Sequence, residues 1–510
     1  MSSPQPISQF VQQEILPRLA AAAAFRSVRF SQESGRFWRG ICPFHQDDGS
    51  SHPMYVDSAT LRWSCLGGCR KGGQSFLAFL NDGGFPHAGS GQFRSALQNA
   101  ADLAGVPPSQ IPEWTIDDEL RAVQEERVAS LLETFFLQAH LALHVEADPS
   151  GQRDCGPARS WLEEQGFDLA SLDHLAIGLF VGREVALERL LEAGFIDEEI
   201  RASALVDDPR LAGRLVGPIR DRWGRILSFW ALHPEGRPPR FLFKGKWKEE
   251  AALFGLDEAL HSGAGEEQRL LVVERLLDAL LLHCKGLRSA AAVGGPPREL
   301  GRRRWQRLSD LGVRRLTLAF DREEDGCRDI LTALENAFRV RPPLEVFVLP
   351  PKSLRGYGNP AEMVRAEGPD ALEEALENET VHAFCFEARM ILEKHSAGGA
   401  WTDAGRHAAW KEAIEFYASQ ARRAVRDLDD HFVPTIVAGL DRTWDTLQPL
   451  SGAGGQSQPR EQAPGALPEA RRETPVPAAG PACPAVSPAK RGRETCPIHH
   501  CEATSCFCFD

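Results

Sequence analysis

Tyrosine and methionine are scarce in this chain, three and four residues among 510. The three tyrosines, Tyr55, Tyr357 and Tyr417, stand in no context that marks a nucleophile, which disfavours a topoisomerase reaction through a phosphotyrosine. Long apolar runs are missing as well. LPRLAAAAAF (16–25) is too short to span a bilayer, so no membrane partner is expected. The start, MSSPQPISQF, lacks a basic n-region and a cleavage pattern, which leads us to expect a cytoplasmic protein. No G-x-x-x-x-G-K-[ST] loop occurs, which disfavours a fused helicase. Nor is there an excess of positive charge. A net charge of −13 argues against nucleic-acid binding over the whole surface, though not against a local basic groove.

What is present is an ordinary globular composition, 43% hydrophobic and 25% charged, in a chain long enough for two to four domains. Seven of the twelve cysteines are clustered: Cys42, Cys65 and Cys69 near the start, then Cys496, Cys501, Cys506 and Cys508 at the end. In a reducing compartment such clusters, with histidine nearby, read as metal sites rather than disulfides. Cys42-x2-His45-x19-Cys65-x3-Cys69 offers four ligands in two close pairs, the arrangement of tetrahedral structural zinc. Zinc supplies folding energy that so small a module cannot gain from its core. His52, in a Ser-rich loop, reads as an exposed residue.

Along the chain, SQFVQQEILPRL and QSFLAFLNDGG flank the Cys/His segment as helices, and GVPPSQIPEW (105–114) reads as a Pro-rich linker. DELRAVQEERVASLLETFFLQAHLAL has helical apolar spacing. Mixed helices and short strands follow to about 375, then a helical block. From 451 the Pro/Ala/Gly-rich composition predicts disorder. The last stretch, CPIHHCEATSCFCFD, packs four Cys and two His into thirteen residues. Either it holds a second zinc through Cys496, His499, Cys501 and Cys506, or it is a frayed, reduced tail.

Two buried-strand patterns end in acids. RLLVVE closes on Glu274 before a helix, and RRLTLAFDRE closes on Asp321 with Glu323 two residues on. Strand–helix–strand alternation implies a parallel α/β sheet, whose ligands bind at the carboxyl ends of the strands. Acids gathered there suit Mg²⁺, though first-turn acids also serve simply to complement a helix dipole. Between these parts, residues 201–250 carry eleven Lys/Arg against six Asp/Glu, a local +5. Trp223, Trp230, Phe241 and Trp247 are interleaved, as a single-strand groove requires. A solvated face with buried aromatics gives the same composition. GRRRWQR (301–307) is a second basic run.

Taken in order, these motifs resemble the DnaG-type bacterial DNA primases. Cys-Pro-Phe-His, HPMYV and the Gly-rich exit CRKGGQSFLAFL are similar to the family's zinc-binding domain, with one extra residue in CLGGC. The second region resembles a TOPRIM domain. Glu274 and Asp321 match its Glu and first Asp, Glu323 stands at the second Asp, and Asp278 matches the acid four residues on. Gly326 and AAVGG (291–295) fit as well. The departures are Arg275 for Gly, Glu323 for Asp, and Asn359 and Ala361 where primases place acids. Arg214, Pro218-Ile219, Pro239-Arg240-Phe241 and LFGL (253–256) resemble the primase core, with Phe243 replacing an Asn.

The resemblance implies an α+β and α/β multidomain chain. A zinc-ribbon-type domain occupies 1–105, the N-terminal part of a primase catalytic core 116–266, and a TOPRIM domain 267–375. A helical subdomain covers 376–450 and the tail 451–510. It implies RNA primer synthesis on a single-stranded DNA template from NTPs. Glu274, Asp278, Asp321 and Glu323 are then catalytic, with Mg²⁺ or Mn²⁺ on Glu274, Asp321 and Glu323. Arg214, Arg240, Lys244 and Lys246 are the nucleic-acid or nucleotide contacts. A monomer is expected, with a replicative helicase as a further partner. Two other classes stay open, a DNA-binding relative in a mobile element that has lost activity, and a TOPRIM nuclease.

Overall fold

The computed structural model describes residues 5–426, except 34–35, 46–53, 68, 145–154, 204, 237–240, 244–251, 263–268, 322–325 and 396–401. The expected tail and its Cys496, His499, Cys501 and Cys506 lie outside the described residues, as do Glu323, Arg240, Lys244 and Lys246. Two compact units are present, one holding Met1–Gly295 with Arg303–Val313, the other Pro296–Arg302 with Arg314 onward. Among the described residues no helix is long and apolar enough to cross a membrane.

The first unit begins with an antiparallel sheet of five short strands in chain order: β1 (Arg29–Gln32), β2 (Phe37–Ile41), β3 (Met54–Asp57), β4 (Arg62–Cys65) and β5 (Lys71–Gln74). Strand alternation gives this sheet two unlike faces. Met54, Val56, Trp63 and Cys65 join an apolar core with the helices α1 (Phe76–Leu80) and α2 (Gln92–Ala104). The expected linker 105–114 is packed on the same core. Val106 is buried there, and the Trp114 indole donates to the Gln5 carbonyl at 2.7 Å with its ring 5.5 Å from Phe10.

The other face carries Asp57, Arg62, Ser64 and Gly73 and meets the 29-residue helix α3 (Ile116–His144). Close approach is what fixes the small residues here. A Cβ on Gly72 would stand 2.2 Å from Thr134 Oγ1, and one on Gly73, whose φ is +58°, 2.3 Å from the Ser130 carbonyl. The opposite side of α3 presents Leu131, Phe135, Phe136 and Ala139 to a second antiparallel sheet. That sheet runs β6 (Gly178–Phe180), β7 (Arg214–Arg220), β8 (Ile226–Leu232) and β9 (Phe241–Phe243). β6 too approaches through a glycine: a Cβ on Gly178 would fall 2.1 Å from the Ala139 carbonyl carbon. The helix is therefore covered on both sides, and its mixed sequence reflects two partners rather than one core face and one wet face.

The first unit continues with β10 (Leu270–Val273), α4 (Leu276–Cys284) and β11 (Ala290–Ala292), a parallel strand–helix–strand turn whose strands are wholly buried. The helix α5 (Arg302–Asp310) follows. In the second unit β12 (Arg315–Leu318), α6 (Gly326–Ala337) and β13 (Glu345–Val348) repeat the parallel pattern. Next come α7 (Pro360–Glu367), the short antiparallel β14 (Val381–His382), α8 (Ala383–His395) and α9 (Asp403–Arg426). The architecture is the mixed α+β and α/β one expected, with an N-terminal antiparallel sheet, parallel strands and a helical C-terminal block.

Candidate metal centre and catalytic acids

Sheet register brings the two ligand pairs together. β2 and β4 flank β3, so both run the same way and end at the same edge. Gly40 pairs with Met54, and Met54 with Cys65. Cys42 leaves β2 two residues past that row, beside the Cys65 knuckle. The ligand atoms of Cys42, His45, Cys65 and Cys69 all lie within 4.8 Å of one another. Cys42 Sγ is 3.5 Å from Cys69 Sγ, and Cys65 Sγ is 3.9 Å from the His45 ring nitrogens. Two thiolates on one tetrahedral zinc stand about 3.8 Å apart, given Zn–S bonds of ~2.3 Å. The sulfurs are far beyond the ~2.05 Å of a disulfide. The extra residue between Cys65 and Cys69 does not keep Cys69 out of the cluster.

The electrostatics of the cluster point the same way. Hydrogen bonding from Cys42, then from Cys69, pulls the Cys65 thiol down to about 3. Bonding to Cys65 pushes Cys42 up to about 11, and Cys42 and Cys65 together drive Cys69 upward. Ionisation of Cys65 thus disfavours ionisation of Cys42 and Cys69. A divalent ion lets all three ionise, and the donor set fits zinc. Phe44, between the first two ligands, packs 5.1 Å from Trp63 and 5.3 Å from Phe79, shielding one flank.

The acids fall where strand-end chemistry puts them. Glu274 follows β10, half-buried, and its carbonyl accepts from Gly294 N at 3.0 Å. Asp278, in the first turn of α4, is buried and paired with Arg275 Nε at 3.1 Å. Arg275, the residue standing for the family's Gly, is thus turned back onto the first turn of α4. Asp321, buried, follows β12. Glu274 and Asp278 belong to the first unit and Asp321 to the second.

Asn359 has a structural occupation. It is 2% exposed and caps α7, its Oδ1 accepting from Glu362 N at 2.8 Å while its Nδ2 donates to Glu362 Oε1 at 2.9 Å. Ala361 is buried.

The basic stretch is largely self-neutralised where it is described. Arg201, Arg210 and Arg225 pair with Asp197, Asp208 and Asp221, and Arg220 with Glu133. Arg222 donates to the Leu311 carbonyl. Arg214 is 2% exposed, its Nε donating to the Arg210 carbonyl, and burial lowers its pKa. Trp230 is a core residue. The remaining five basic residues of 201–250, Arg237, Arg240, Lys244, Lys246 and Lys248, lie outside the described residues. In the second basic run, GRRRWQR, Arg304 is not available to a phosphate. Arg304 is buried and donates to the carbonyls of Ala252 and Val293, each at 2.8 Å, and Trp305 is buried beside it.

Sequence reasoning missed the buried ion pairs along α3. Their signal was a polar series, Glu126, Ser130, Glu133 and Thr134, repeating at helical spacing inside an apolar segment.

The chain thus combines a small sheet bearing a Cys/His cluster, a second antiparallel sheet and parallel strands followed by acids, and the relatives it is similar to are named DNA primases. No family model matches the chain. It is 27% identical over 430 residues to the DNA primase of Streptomyces coelicolor, covering 80% of this chain and 61% of that one. It is 28% identical over 321 residues to the DNA primase of Deinococcus radiodurans, covering 59% and 50%. The chain thus spans between half and two thirds of the length of these relatives. The crystal structure of the Aquifex aeolicus primase zinc-binding and RNA polymerase domains superposes with a TM-score of 0.52 at 18% identity, covering 87% of this chain and 98% of that one, which shows the shared fold. In sequence the chain is thus similar to curated DNA primases, and in fold to the zinc-binding and RNA polymerase domains of one.

Proposed function

We propose that the chain is a DNA primase of the cytoplasm, a nucleotidyltransferase that builds short RNA primers from NTPs on single-stranded DNA. The observation that carries this reading is the zinc cluster and the strand-end acids in one chain, aligned over 80% of its length with a DNA primase. In the reaction we assign, the zinc-bearing sheet meets the template, and Glu274, Asp321 and Glu323 hold Mg²⁺ or Mn²⁺. Bound metal supplies charge neutralisation on the nucleotide phosphates and a more acidic 3′ hydroxyl. Asp278, the further acid assigned to the catalytic set, is paired with Arg275 at 3.1 Å. The rest of the rate comes from in-line positioning. Arg240, Lys244 and Lys246 are the assigned contacts to template or nucleotide, and the buried Arg214 braces the start of β7 through the Arg210 carbonyl. The helical block after 376 is either the end of the core or a docking surface for a helicase.

A second reading draws on Asn359 and Ala361. With Asn359 spent on a helix cap, the third acidic pair is missing, as in a relative that binds DNA without extending primers. Primer synthesis from labelled NTPs on single-stranded DNA, with Mg²⁺ or Mn²⁺, separates the two. We expect product from the wild type and a loss of at least about a hundredfold in Glu274→Gln, the scale on which a charge-stabilising group acts. No wild-type product would favour the binding protein, and full activity in the variant would overturn the metal assignment.

A further inference from the structure

The face of α3 that meets the zinc-bearing sheet is polar and almost wholly buried. Glu126, Ser130, Glu133 and Thr134 are each at most 8% exposed. Arg62 of β4 reaches Glu126 with both terminal nitrogens, at 2.9 and 3.3 Å, and also donates to the Gly73 carbonyl. Glu126 Oε1 accepts from Ser75 N at 2.8 Å and from Ser130 Oγ at 3.1 Å. Two turns on, Arg220 of β7 forks the Glu133 carboxylate at 2.7 and 2.8 Å. Arg36 pairs with Asp57 at 2.9 Å inside the ribbon. Burial alone raises the Asp57 pKa, but Arg36 and then Arg220 outweigh it and hold it below the usual carboxylate range. At the far end the Phe37 ring of β2 packs, tilted, 5.1 Å from His140, whose Nδ1 lies 2.9 Å from the Ile177 carbonyl. The hairpin after β7 touches the turn after β3, where a Cβ on Gly224 would meet Thr60 Cγ2 at 2.7 Å.

Three arginines and three acids are thus sealed between the ribbon and the core, and their charges balance. Deleting one member leaves an uncompensated buried charge. A module that swings on a tether would recover hydration of these charges when it leaves, so what holds the ribbon is the directional pairing of Arg62 and Ser75 with Glu126 together with the close fit of Gly72 and Gly73 on α3. We infer that Glu126 and Glu133 are positioning residues that lock the zinc-bearing sheet onto α3. The ribbon and the second sheet are then one body, and metal occupancy at Cys42, His45, Cys65 and Cys69 is felt through α3 by β6. The inference goes beyond the proposed activity and does not need it.

Hydrogen exchange of the full chain tests it. The samples are wild type with zinc, wild type stripped by a chelator, and zinc-loaded Glu126→Ala and Glu126→Gln. Arg183→Ala, which removes an exposed pair with Asp207, is the control. Stripping zinc is expected to speed exchange of α3 amides 126–140 and of β6 at least about tenfold, the factor carried by one charge-assisted hydrogen bond. In Glu126→Ala, zinc content stays at one ion while β5 and α3 lose protection together. Glu126→Gln, which still accepts from Ser75 N, recovers part of it, and the control changes nothing. Unchanged α3 exchange on stripping, or loss in β5 alone in Glu126→Ala, would overturn the inference. Should Glu126→Ala fail to fold, the stripping arm decides. Primer synthesis enters neither arm, so failure here and failure of the primase reading are told apart.

Discussion

His140 is an imidazole held away from water. Burial first, then the neighbouring His144, brings its pKa from 6.5 to about 4. The folded chain therefore binds fewer protons at this site than the unfolded chain between those values. Stability from the neutral ring is fully present above pH 6.5 and drains away as pH falls toward 4, by about 3 kcal/mol. Urea midpoints measured at pH 7 and pH 4.5 with zinc in excess are expected to differ more for the wild type than for His140→Gln, which cannot titrate. Parallel behaviour would contradict the assignment. The sequence marked Cys42, His45, Cys65 and Cys69 because ligand spacing is local information. It gave no such mark to His140 or Glu126, whose partners lie 37 and 64 residues away in the chain.

Among the elements, α3 carries the densest demands. Its helical nature was legible in its apolar spacing. That it serves two sheets was not, because a polar series at helical intervals reads equally well as a solvated stripe. The glycines make the difference physical. Gly178 stands against the backbone of Ala139 and His140, where no side chain can yield. Gly178→Val is expected to destabilise the chain by about 3 kcal/mol or more, the upper range of overpacking. The measurement is the denaturant midpoint at constant m-value. A change below about 1 kcal/mol would mean that β6 can withdraw from the helix. The parallel strands β10 and β12 were read correctly with their terminal acids, since a continuous apolar run closing on an acid is visible in sequence. The pairing of Arg275 with Asp278 was not, because nothing in a motif says which way an arginine turns.

At the scale of the molecule, motif order made the primase relationship readable before any coordinates: zinc ligands, basic stretch, strand-end acids. The position of the joints was less readable. Pro and Gly near 105–114 suggested a linker, yet Val106, Ile111 and Trp114 pack on the ribbon's core. Limited proteolysis of the zinc-loaded chain is expected to leave 105–114 uncut while the first cleavages fall elsewhere, as mass spectrometry of the fragments would register. Rapid cutting there would restore the linker. The shared helix also bears on how such chains can be recombined. Joining residues 1–115 of one relative to the remainder of another would set foreign partners for Arg62 and Ser75 against this chain's Glu126 stripe. A chimera that keeps its fold has its junction after His144, so that ribbon and helix travel together as the heritable unit.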